Sequence, residues 1–165
     1  MSKKVLEDVG SRNPTTKEIL ESAATKRYDL DEVIGDAMQQ AINPMVVVRK
    51  VHDKVVIDSG RRYSDGEPVL VWVWLPAYSN TLVGVGDGCL TFVRLADQTK
   101  APDYAMSVRA ELLEHLPVRD AGGQIMMTTH IANTAEAIST LADSCVALDV
   151  AVIVANHLRP KTSIS

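Results

Sequence analysis

A chain of 165 residues that is 46% apolar and 23% charged matches one ordinary globular domain with a core of normal size, which argues against intrinsic disorder. A net charge of −4 gives no global attraction to nucleic acid or acidic membranes, although it leaves room for a local basic face. Aromatic residues make up only 4%, so the core is expected to be aliphatic and base stacking is not favoured.

Residues 1–14 are polar, end at Asn13-Pro14 and read as a mobile N-terminal arm. No apolar targeting region follows Met1-Ser2-Lys3-Lys4, which gives a cytoplasmic expectation. A first helix is expected after Thr15 or Thr16, with Ile19, Leu20, Ala23 and Ala24 on one stripe. Asp29, followed three residues later by Glu32, predicts a helix restart with Val33, Ile34, Ala37, Met38, Ala41 and Ile42 on its apolar face. Asn43-Pro44 ends it.

The period then changes. Met45–Val51 and Lys54–Asp58 predict a hairpin around His52-Asp53, and Ser59–Glu67 reads as loop. Val69–Leu75, between Pro68 and Pro76, is apolar on both alternating faces and predicts a central strand covered on both sides. It holds both tryptophans of the chain, Trp72 and Trp74. Thr81–Val85, a Gly86-Asp87-Gly88 turn and Cys89–Leu95 predict a second hairpin. Asp103–Leu116 predicts an amphipathic helix, Val118–Gly123 a loop and Gln124–His130 a sixth strand.

Asn133 with Glu136 opens a segment running to about Leu158 without Gly or Pro. A continuous helix is the favoured reading, with the β-branched run Val150–Ala155 as a strand the alternative. As a helix, its end would be apolar all round and would need enclosing, which points to an oligomer interface at Val146, Val150, Ile153 and Val154. Residues 159–165 read as a flexible tail.

Three constellations invite a functional reading. Arg49, Lys50, Lys54, Arg61 and Arg62 could line one hairpin and meet a nucleic acid or other polyanion, although Asp53, Asp58, Asp65 and Glu67 are interleaved. Asp87, Cys89 and His130 could meet in a pocket as a nucleophile–base pair. Gly84-Val85-Gly86-Asp87-Gly88 lacks the dinucleotide spacing and is expected to be a turn rather than a phosphate loop. The histidines and cysteines show no metal-ligand spacing, so neither a metal site nor a cofactor is expected.

The expectation is one α+β domain over residues 1–165: a mostly antiparallel sheet of five to six strands with N-terminal helices and C-terminal helices packed on it. The favoured function is a non-enzymatic, self-associating structural, assembly or adaptor protein whose partner is itself. A polyanion-binding module, and a small enzyme or small-ligand-binding protein, are the alternatives. No membrane partner is expected.

Overall fold

A computed structural model describes residues 28–157. The arm at 1–14, the helix expected after Thr15 and the tail at 159–165 lie outside the described residues.

The chain first forms α1 (Leu30–Gln40), with Asp29 as its N-cap: the Asp29 carboxylate accepts the Asp31 backbone N–H at 3.0 Å. Val33, Ile34 and Ala37 are buried, whereas Met38 of the expected stripe is at the edge of the buried face and Ile42 lies beyond the helix end at Gln40, both exposed. The first hairpin pairs β1 (Val46–Val51) with β2 (Lys54–Arg62) across a two-residue turn in which His52 takes φ 55°. β2 runs on to Arg62, so half of the loop expected at Ser59–Glu67 is strand, bent at an irregularity between Asp58 and Arg62. β3 (Pro68–Trp74) and β4 (Leu82–Gly86) follow, each antiparallel to its predecessor.

The expected second hairpin is overturned. Cys89–Leu95 is not a strand: α2 spans Leu90–Gln98, and Gly86-Asp87-Gly88 is a strand-to-helix junction. The β-like composition Leu-Thr-Phe-Val loses to a helix that Asp87 caps and whose Leu95 is buried against the C-terminal helix. α3 (Pro102–Leu113) is next, starting with Pro at the position where its missing N–H costs nothing. Residues 118–123 do not form a simple loop, since β5 (Arg119–Ala121) turns back through Gly122-Gly123, both at positive φ, into β6 (Gln124–His130).

A 3₁₀ turn (Ile131–Asn133) leads into α4 (Thr134–His157), one continuous helix through the β-branched run. Its start differs from the expected Asn133 cap: His130 Nδ1 accepts the Ala132 N–H, and Thr134 donates its hydroxyl to the Ile131 carbonyl. The sheet is antiparallel throughout in the order β1-β2-β3-β4-β6-β5, so the fold is α+β as expected.

α4 is the floor of the core. Ile138, Leu141, Ala142 and Cys145 meet Val55, Ile57, Val69, Val71, Val73, Val83, Val85 and Ile125 from the sheet's inner face. Further along, Ala151, Val152 and Ala155 meet Leu95 of α2 and Ala105 of α3. By length and composition this helix could also cross a membrane, but more than half of its most apolar window is buried here inside the protein.

The other face of the sheet departs from expectation. Leu70, Trp72 and Trp74 alternate with fully buried Val69, Val71 and Val73, yet they are only partly buried, and no described helix lies over them. β3 is therefore covered on one side by α4 and on the other by its own indoles.

Candidate functional site

The open face of the sheet is built in rows fixed by strand register. One row crosses all six strands: Arg49, Val56, Trp72, Gly86, Met126 and Arg119. The next crosses five: Val51, Lys54, Trp74, Gly84 and Thr128. Glycine at 84, on β4, and at 88, just beyond it, is what leaves room for the indoles, while at Gly86 a Cβ would first meet the Gln124 side chain. A Cβ on Gly84 would come within 2.6 Å of the Trp74 ring, and one on Gly88 within 2.9 Å of Trp72. The glycine-rich motif is thus neither a hairpin turn nor a phosphate cradle, but the bed for two tryptophans.

Cations flank those rings. The Arg49 guanidinium carbon lies over Trp72 at 5.7 Å from its centre, and Lys54 Nζ over Trp74 at 5.4 Å. Tyr78, in the β3–β4 loop and 77% exposed, borders a shallow depression with Leu82, Arg119, Met126 and Thr128. The structure thereby gathers three of the chain's few aromatic residues on one side.

The expected basic cluster is dispersed. Lys50 points to the inner side and pairs with Asp31 of α1; Arg61 pairs with Asp143 of α4 at 2.6 Å. Arg62 holds Asp58 at 2.9 Å, and that hydrogen bond keeps the Asp58 carboxyl below its usual range. Arg49 and Lys54 remain, joined by Arg119, which the sequence reading did not include. None of these three has an acidic partner among the described residues.

The expected Asp87, Cys89 and His130 pocket does not form. His130 pairs with Leu82 at one end of β4, while Asp87 follows Gly86 at the other, separated by about 13 Å or more at strand rise. Asp87 is wholly buried and fully engaged: it accepts the N–H groups of Cys89 (3.0 Å), Thr91 (2.9 Å) and Ile125 (3.0 Å), and the Thr91 hydroxyl. Its carboxylate thus already occupies the anion site that the α2 N-terminus would offer. His130 instead borders a cavity of about 230 Å³ with Tyr28, Asp36 and Thr134. Among the described residues no group of three His, Cys, Asp or Glu side chains could hold a metal.

A buried polar clasp, unseen in the sequence, joins α2, α4 and the β2–β3 loop. Arg94 stacks 3.9 Å from the centre of the Tyr63 ring and reaches Asp65 at 3.0 Å and Asp149 at 3.3 Å. Asp149 also accepts the Ser64 N–H and hydroxyl. This explains the one charge in the apolar half of α4: it is a buried anchor, not an interface residue. Burial pushes the Tyr63 hydroxyl and the neighbouring Cys145 thiol far up, with Asp87 adding in the same direction.

Of the expected interface residues, Val150 and Ile153 are 42% and 38% exposed, and Val146 and Val154 are half-buried. At 3.6 residues per turn the four share one side of α4, where Val150 and Ile153 face outward and Val146, at the edge, packs partly against the main core. No family model matches the chain, and neither a curated protein nor a solved structure matches it.

Proposed function

We propose that this chain is a non-enzymatic, self-associating structural, assembly or adaptor protein that works through contacts between its own copies. The observation behind this reading is the aliphatic stripe of Val146, Val150, Ile153 and Val154 along the outer side of α4. The opposite side of that helix, from Ala137 and Ile138 to Val152 and Ala155, is buried in the protein's own core. Natural surfaces scatter single apolar residues, but a run on one helix face needs a cover.

A two-fold crossing of α4 with its copy would place the same stripe on itself. Stable pairs bury about 800 Å² per partner, so the flanking Ser139, Asp143 and His157 would have to join the contact. The free thiols Cys89 and Cys145 suit a reducing compartment, and this reading sets the protein in the cytoplasm.

Light scattering behind a sizing column tests the reading. The expected result is an assembly whose mass is the same at low and high salt and which falls to the 17.9 kDa monomer in Val150→Glu/Ile153→Glu. A monomer at every concentration, or an assembly indifferent to that double change, overturns it.

A further inference from the structure

We infer that the open face of the sheet binds single-stranded nucleic acid, with Trp72, Trp74 and Tyr78 as stacking surfaces and Arg49, Lys54 and Arg119 as phosphate contacts. This site is independent of the α4 stripe, which lies on the other side of the sheet.

Charge complementarity argues for the occupant. On a chain whose net charge is −4, the outer strand positions carry Arg49, Lys54, Arg62 and Arg119 against one acid, Asp58, which Arg62 already holds. The excess is positive, and it stands at both ends of a row roughly 24 Å long across six strands. Between those ends lie the indoles, Met126 and the glycine bed. An open antiparallel sheet that presents aromatic rings between cations suits unstacked bases and a phosphate chain. A duplex is too convex to reach flat-lying indoles, and an acidic peptide would leave the rings without a matching partner.

The geometry of the cations fits the same use. Arg94 is stacked at 3.9 Å on Tyr63 and tied to two carboxylates, a locked structural arrangement. Arg49 and Lys54 stand at 5.7 and 5.4 Å from their rings with no acidic partner among the described residues, so they can turn to phosphate without breaking an ion pair.

Both tryptophans of the chain sit on this face, so indole fluorescence, excited selectively at the red edge where tyrosine does not absorb, reports on it. The full chain is titrated with a 16-residue oligothymidylate. The expected result is quenched indole emission, with an association constant falling between 50 and 200 mM salt at a log–log slope of about −2, as three single-strand phosphate contacts require. Arg49→Glu/Lys54→Glu/Arg119→Glu should weaken binding at least tenfold while the variant still unfolds cooperatively in urea, because these three side chains are not part of the core. Its unliganded emission serves as its own baseline, since Arg49 and Lys54 stand beside the indoles. Trp72→Phe, which keeps a ring, should weaken it less than Trp72→Leu.

Four outcomes overturn the inference. The oligonucleotide leaves the emission unchanged, or the triple variant binds it as the wild type does. Inorganic polyphosphate of matched charge binds as tightly, which would make the face a generic anion surface. Emission shifts on dilution without any ligand, which would make it a contact between copies. The Val150→Glu/Ile153→Glu chain should still bind the oligonucleotide, so failure of either proposal is read separately.

Discussion

Gly84 and Trp74 are paired across β3 and β4, and the indole occupies the space a side chain at position 84 would need. Gly84 is not required by a positive φ; it is required by the ring. Gly84→Ala is therefore expected to cost about 1–3 kcal/mol through forced displacement of the indole. A urea melt measures the loss. A red shift of the emission maximum would identify the cause, because a lifted indole meets more water. Unchanged stability and emission would mean that the ring does not rest there.

Asp87 organises the junction that sequence reading mistook for a turn. Asp87→Ala would leave three backbone N–H groups and a buried hydroxyl without their acceptor, and should cost at least about 3 kcal/mol. Asp87→Asn retains one accepting oxygen and should fall between. Hydrogen exchange at the Thr91 and Ile125 amides should accelerate ahead of amides in β2. Equal stability of Asp87→Ala and the wild type would show that the capping network contributes nothing.

Alkaline pH should weaken the fold. The folded pKa values of Tyr63 and Cys145 lie well above their ordinary values of 10.0 and 9.0, chiefly because burial disfavours the anions. Their contribution to stability is fully present below the unfolded values and is lost as pH rises past about 9 and then 10. The slope is up to about 1.4 kcal/mol per pH unit for each group. Denaturant melts from pH 7 to 11 should show this decline, and Tyr63→Phe should flatten its upper part. A flat profile in the wild type would contradict the burial.

What could be read from the chain in advance depended on how local its causes are. The first hairpin, β6, α1 and the unbroken course of α4 follow from apolar period and from the absence of breakers, all within one element. The Cys89–Leu95 error shows the limit: Leu-Thr-Phe-Val favours a strand locally, and the available counter-signal was Asp87 placed to cap, with Thr91 four residues on. The basic cluster failed for a different reason. Arg61 finds Asp143, 82 positions away, and Lys50 finds Asp31 on a helix, so neither pairing is visible in the spacing of the charges. The two-sided burial of β3 was half right because an apolar face reads the same whether a helix or a pair of recumbent indoles covers it.

The position of α4 in the chain has a consequence for biosynthesis. It is the last element of the described fold, yet it touches β2, β3, β4 and β6 and all three other helices. The whole sheet is thus made before the surface that dries its inner side exists. After His130 is added, synthesis through His157 takes roughly 1 to 5 seconds at typical rates. During that interval the α4 segment that covers Val69, Val71, Val73, Val83, Val85 and Ile125 in the folded protein is still missing, so the inner side of the sheet can close only after the residues up to His157 have been made.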